Sequence, residues 1–335
     1  MTVYQLFFIF FFFIINLLLI KNNFLLDKVD FSTHKKFIKK KKTPVTGGLL
    51  FLIYLFVFIE DYSLKELFIF ILIFLIGFIS DFYKNFKPLW RLILQIFPCL
   101  FFIWLSEINI TNINIDYFDE LLIEYNFLSI LLTTFSIIVL MNGSNFTDGV
   151  NLSATGYFLG LFALFYFLGN QNYIMTNLFF IQKIIFILCI ILIINAFNMT
   201  MLGDGGIYLI SFITGFFVIN LIDQNKIISP YFATLIFWYP CVENLFSIIR
   251  KKFINVKTIQ ADNFHLHQLI YAYFKKKIKS KHLNNLTGLS ILLFNYLIFY
   301  LSFNFYNNTQ ILIIIIFVCI LLYLFLYLYL YKHIK

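Results

Sequence analysis

Two short polar stretches, each set between long apolar runs, hold the residues best suited to chemistry. One reads Met141-Asn142-Gly143-Ser144-Asn145-Phe146-Thr147-Asp148-Gly149-Val150-Asn151, the other Met201-Leu202-Gly203-Asp204-Gly205-Gly206. Asp148 is the only acid between Glu124 and Asp204. A carboxylate at the edge of a hydrocarbon slab is expensive to keep unless it has a task. One Gly-Asp turn is ordinary at a helix end. Two at successive boundaries, with Asn145, Asn151, Asn195 and Asn198 close by, favour one shared site. Carboxylates beside amide oxygens suit a hard cation, Mg²⁺ or in its place Mn²⁺, which is usually held by one or two carboxylates together with substrate phosphates. The glycines let backbone approach a ligand closely. The chemistry expected is therefore the handling of a phosphorylated polar substrate beside lipid.

Three further stretches carry weaker signals. The run from His34 to Gly48 is lysine-rich and ends Thr43-Pro44-Val45-Thr46-Gly47-Gly48. Its lysines read as an anchor for anionic lipid. Its proline and paired glycines fit either close helix packing or approach to phosphate. Ser80-Asp81-Phe82-Tyr83-Lys84 places one acid at a boundary, where Asp81 could cap a turn or pair with Lys84. His265 and His267, two apart, would share one side of an extended segment and could donate to phosphate oxygens. No Cys or further His is near enough in sequence for a zinc site. Cys99, Cys189, Cys241 and Cys319 lie far apart in apolar segments and read as inert buried thiols.

The elements that must position these residues are membrane helices. The chain has 335 residues, 61% of them hydrophobic, 12% charged, with mean hydropathy +0.90. A soluble domain of this size could not hide so much apolar surface. Continuous rather than alternating apolar runs exclude a transmembrane β-barrel. At roughly 20 residues per crossing, the chain reads as one all-α polytopic domain over 1–335. It has eleven spans, near 4–20, 44–60, 66–80, 89–105, 127–141, 154–169, 177–196, 206–222, 230–249, 286–304 and 309–331. With the 21–43 loop inside, twenty-two of the 25 Lys and Arg fall on the cytoplasmic side, and nine of the sixteen acids on the other. The positive-inside rule then sets the N-terminus outside and the C-terminus in the cytoplasm. The polar motifs all fall in cytoplasmic loops. Nothing in the charge pattern points to nucleic acid.

In this order and setting the motifs resemble the UDP-sugar:polyprenyl-phosphate sugar-1-phosphate transferases. This family includes the enzyme making the first peptidoglycan lipid intermediate and those starting O-antigen, enterobacterial common antigen and teichoic-acid linkage units. The likeness covers about residues 30–275: Thr-Pro-x-x-Gly-Gly at Thr43–Gly48, Asn-x-x-Asp-Gly-x-(Asp/Asn) at Asn145–Asn151, Phe/Leu-x-Gly-Asp-x-Gly at Met201–Gly206, and His-x-His at His265–His267. Eleven spans are similar to the N-acetylglucosamine-phosphate branch rather than the ten-span muramoyl-pentapeptide branch. Two positions depart from the pattern. Ser80 stands where the family usually has the first of two adjacent acids, and Asn151 replaces an acid, an exchange seen in a glycan-initiating subgroup.

The resemblance implies a Mg²⁺-dependent transfer of sugar-1-phosphate, with an N-acetylhexosamine as the sugar. The donor is a UDP-sugar and the acceptor undecaprenyl phosphate, in a bacterial cytoplasmic membrane, with a homodimer as candidate assembly. It implies Asp204 as the metal ligand, Asp148 and Asn151 placing nucleotide or metal, and Asn145 lining the pocket. Asp81 would orient or deprotonate the lipid phosphate, His265 and His267 would bind donor phosphate, and Lys42 with Thr43 the acceptor. With one acid missing, direct attack is expected rather than a covalent Asp intermediate, and Ser80→Ala is expected to be nearly silent. Two other classes stay in view: a transporter or flippase, and a non-catalytic homologue that binds lipid or nucleotide.

Overall fold

The computed structural model describes residues 3–22, 24–25, 43–59, 62–83, 86–171, 174–253 and 264–334. Among these the architecture is entirely helical, with no strand. In chain order the helices are α1 (Val3–Lys21), α2 (Gly47–Phe58), α3 (Leu64–Phe82), α4 (Pro88–Ser106), α5 (Asp116–Glu124), α6 (Asn126–Thr147) and α7 (Ser153–Gly169). They continue as α8 (Leu178–Ala196), α9 (Gly203–Gln224), α10 (Pro230–Ile236), α11 (Trp238–Phe253), α12 (Leu266–Lys277), α13 (Leu283–Phe305) and α14 (Thr309–Ile334). Six of them, α4, α6, α8, α9, α13 and α14, are long and apolar enough to cross a membrane. A seventh crossing arises if α10 and α11, bent by 69°, form one broken span. The chain is thus a multi-pass helical membrane protein. The helices are less uniform than hydropathy suggests: α2, at 12 residues, reaches only about 18 Å at 1.5 Å per residue.

α9 is the hub. It is apolar on every side, as a helix buried all round must be, and Ile207, Tyr208, Leu209, Ile210 and Phe212 are fully buried. α2, α3 and α6 pack around it. Glycine contacts make this possible: a Cβ on Gly48 would overlap the Gly206 backbone, and one on Gly77 would lie 2.5 Å from the Asp204 carbonyl carbon. Small residues at such crossings let membrane helices meet backbone to backbone. The same contact brings the first turn of α9 to the end of α3, which builds the site.

The break between α10 and α11 has a chemical cause. Pro240 has no N–H to give to the Ile236 carbonyl, four residues back. The Tyr157 hydroxyl of α7 donates to that carbonyl instead. At the end of the bundle far from the motifs, Thr133 accepts from the Ile110 amide at 2.8 Å, and Asn114 Nδ2 donates to Thr309 Oγ1 at 3.0 Å. These contacts tie the 107–115 loop to α6 and α14.

Candidate active site

The Thr43–Gly48 segment is used for packing. The amides of Gly47 and Gly48 donate to the carbonyls of Met201 and Leu202, at 2.9 and 3.1 Å, and the Met201 amide returns a bond to the Pro44 carbonyl. Thr46 Oγ1 donates to Asn16 Oδ1 at 2.7 Å and lies 2.9 Å from Thr200 Oγ1. The glycine amides that would have met a phosphate are therefore committed to the Gly203-Asp204 loop. Thr43 is buried at the start of the segment, and Lys42 lies outside the described residues.

Behind this packing stands the first cluster. Asp204 falls in the first turn of α9, where a carboxylate is favoured by the helix dipole. Its amide donates to Asp81 Oδ1 at 3.2 Å. Its Oδ2 accepts from Ser80 Oγ at 2.9 Å and from Arg91 Nη1 at 3.3 Å. Arg91 also donates to Ser80 Oγ at 3.2 Å, so serine, arginine and aspartate close a triangle. Gly203 adopts φ +70° directly before Asp204, and a Cβ there would come within 2.7 Å of Asp81 Oδ2. Only glycine holds this turn without strain. Two carboxylates from two helices, with the Asp204 side chain 24% exposed, form a donor set that fits a hard cation. Among the described residues no three His, Cys, Asp or Glu side chains form a metal cage. An ion held here would complete its shell with phosphate and water oxygens, as Mg²⁺ commonly does.

The second cluster gathers around α12. His265 precedes the helix, and its amide donates to Gln268 Oε1 at 3.1 Å. His267 sits inside the first turn, so the pair belongs to a helix start and not to an extended segment. The two rings still share a side, parallel within 6° at 5.9 Å, and Phe146 stacks on His265 at 4.8 Å. His265 Nδ1 lies 2.9 Å from Glu243 Oε1. Asp148 caps α6, and the next residue, Gly149, lies so close to His267 that a Cβ would overlap its Nε2.

Asn142 to Asn145 are helical, where the sequence suggested a loop: α6 runs on to Thr147. The packing explains it, since Gly143 lets the Pro240 carbonyl approach and Asn142 Nδ2 donates to Gln95 Oε1 at 2.9 Å. Gln95 is one turn beyond Arg91 on α4, and Asn145 is one turn beyond Asn142 on α6. The Asn142–Gln95 bond ties α6 to α4. Asn151 is buried. Its Nδ2 donates to Asn198 Oδ1 at 2.6 Å and Asn285 Oδ1 at 2.9 Å, while its amide donates to Asn284 Oδ1 at 3.1 Å. Asn195 joins them by accepting from the Leu152 amide at 2.7 Å. Asn151 thus anchors the turn after Asp148 through these three bonds.

Sequence reasoning gave no role to Arg91 or Glu243. Each is an ionisable residue inside an apolar run, and that alone is a signal of function.

The comparisons with known proteins bear on this arrangement. No curated protein matches the chain. The model of Glycosyl transferase family 4 matches residues 64–222, a stretch that contains Ser80, Asp81, Arg91, Asp148 and Asp204 but neither Thr43–Gly48 nor the histidine pair. Over that stretch, a little under half of the chain, the sequence is similar to glycosyl transferase family 4, in agreement with the resemblance to the polyprenyl-phosphate sugar-1-phosphate transferases.

Proposed function

We propose that the protein moves a sugar-1-phosphate, with N-acetylhexosamine as its sugar, from a UDP-sugar to undecaprenyl phosphate. The reaction would run at the cytoplasmic face of a bacterial inner membrane, release UMP and start a cell-surface glycan such as an O-antigen. The observation that carries this reading is the convergence of Asp81 and Asp204 with Arg91 at one end of a membrane bundle. Reaction of two anionic phosphates is limited by charge repulsion and positioning, and carboxylate-held Mg²⁺ with a guanidinium relieves both.

An acceptor phosphate oxygen attacks the sugar-side phosphorus of the donor, and the bond from that phosphorus to the bridging oxygen breaks as UMP leaves. Asp204, with Asp81 beside it, would hold Mg²⁺, which supplies charge neutralisation, and Asp148, beside the histidine pair, would serve nucleotide placement. Arg91 contacts a phosphate oxygen, Asn145 lines the pocket, and the histidine pair at the start of α12 meets the donor phosphates. A cavity of about 660 Å³ lies toward the other end of the bundle, walled by the 109–114 loop, α6, the last turns of α9 and the broken pair α10–α11, and none of Asp81, Arg91, Asp204 or the histidine pair lines it. The eleven-span topology is also kept as a proposal. The seven crossings, the shorter apolar helices α1, α2 and α7, and α3, an apolar helix that carries three charged residues, Lys65, Glu66 and Asp81, together make that number.

The test is full-length purified protein with polyprenyl phosphate, a panel of radiolabelled UDP-sugars, and Mg²⁺ or chelator. Labelled lipid and UMP are expected with one donor and are lost on chelation. Donor binding without product would favour a non-catalytic homologue, and lipid movement across proteoliposomes without UMP would favour a flippase.

A further inference from the structure

The last helix lies outside the stretch that carries the family, yet it reaches the histidine pair. Tyr323, Tyr327 and Tyr331 recur every four residues and so line one face of α14. Tyr323 OH donates to Glu243 Oε2 at 2.9 Å. Tyr327 OH accepts from Arg250 Nη1 at 2.7 Å, and the same guanidinium donates to the Phe264 carbonyl just before His265. The ring of Tyr331 meets Phe264 edge-on at 5.6 Å. At the end of the helix, Lys276 of α12 donates to the carbonyls of His333 and Ile334. α14 is therefore fastened along the whole approach to the histidines.

Glu243 is the pivot. It is 1% exposed, and a buried carboxylate persists only where donors replace water. Oε2 takes the Tyr323 hydroxyl. Oε1 takes the Leu266 amide at 3.3 Å and faces His265 Nδ1 at 2.9 Å. An ionised carboxylate only accepts, so the contact with His265 requires the proton on Nδ1. A carboxylate that fixes the tautomer and aim of an imidazole is a recurring device for setting what the other ring nitrogen presents to substrate. Phe146 stacked on the ring restrains its rotation.

We propose that Glu243 and Tyr323 are positioning residues which lock His265 as its Nδ1–H form and so fix the start of α12, where the histidine pair meets the substrate, making α14 a working part of the active site. The role in substrate binding rests on the transferase reading above; the tautomer lock does not.

The experiment uses the full chain in lipid nanodiscs with ¹⁵N-labelled histidine. Nitrogen spectra would be recorded for the unsubstituted protein, Glu243→Gln and Tyr323→Phe, with the signals of His265 assigned by loss in His265→Gln. Protonated Nδ1 is expected in the unsubstituted protein, with a shift toward the Nε2–H form in Glu243→Gln. In the transferase assay, KM for the UDP-sugar should rise about tenfold or more in Glu243→Gln, the scale seen when an outer partner of a functional histidine is lost. It should rise about threefold in Tyr323→Phe, with kcat within about twofold. An Nε2–H tautomer in the unsubstituted protein, or spectra and KM unchanged by both substitutions, would overturn the proposal. If Glu243→Gln does not fold, Tyr323→Phe removes one oxygen atom only and decides the same question. If no UDP-sugar is consumed even by the unsubstituted protein, the transferase reading fails, and the spectra still decide the lock.

Discussion

Replacing Ser80 by Asp restores the paired acids of the family and perturbs the site at its tightest point. Ser80 Oγ lies 2.9 Å from Asp204 Oδ2 and 3.2 Å from Arg91 Nη1. A carboxylate at that position would meet one like charge and one opposite charge at similar range. Each such pair at 4 Å is worth about 4 kcal/mol at an effective dielectric of 20, so without a cation the two largely cancel. A divalent cation held by Asp204 would gain about twice the single-charge attraction before screening. The Arg91 and Asp204 side chains are 20% and 24% exposed. Screening and the cost of loosening Arg91 reduce the gain to about 2 kcal/mol, so cation affinity should rise about tenfold to thirtyfold. Titration of the purified protein with Mn²⁺, read by electron paramagnetic resonance, measures this directly. Turnover at saturating cation should not rise, because the added charge also repels the anionic acceptor. Unchanged or weaker cation affinity would refute the placement of the ion at Asp204. A large gain in turnover would mean that serine impairs the natural site. Ser80→Ala is no longer expected to be silent: it removes a hydroxyl bond to a charged oxygen, and activity should fall by about threefold to tenfold.

Asp204→Asn keeps the shape of the side chain and removes its charge, so activity should fall at least about a hundredfold; near-normal rates at ordinary Mg²⁺ would move the ligand role to Asp148. Asn151→Ala breaks two side-chain hydrogen bonds and should cost about 2 kcal/mol of stability, seen as a lower unfolding temperature before any change in donor affinity. If only donor affinity changes, Asn151 is a substrate ligand after all. Cysteine labelling of intact cells should leave positions 35 and 258 protected and modify position 116, and the opposite pattern would reverse the topology.

The long helices were legible because their apolar runs leave no soluble alternative. Runs read as 89–105, 177–196 and 309–331 correspond to α4, α8 and α14, with ends that agree within three residues. α5 and α12 went unseen, since both are too polar and too short for a search built on crossings. The turn at Asn142 to Asn145 was misread for another reason. Gly and Asn are poor helix formers, but packing against Pro240 and Gln95 outweighs a propensity of under about 1 kcal/mol per residue. The bend at Phe237 was written in Pro240 yet hidden by the apolar run around it. At the site, the acids were identifiable from their isolation in apolar sequence. Their partners were not: Ser80–Arg91–Asp204 and Glu243–His265–Tyr323 join residues up to 124 apart in the chain, and a single sequence carries no record of such contacts.

In the proposed reaction phosphorus, and not the sugar alone, moves to the lipid. A UDP-sugar labelled with ³²P at its sugar-side phosphorus, incubated with the purified protein, polyprenyl phosphate and Mg²⁺, follows that atom. Label in the lipid product and unlabelled UMP in solution, in equal amounts, are expected. Label retained in released UDP would show ordinary glycosyl transfer and contradict the proposed reaction.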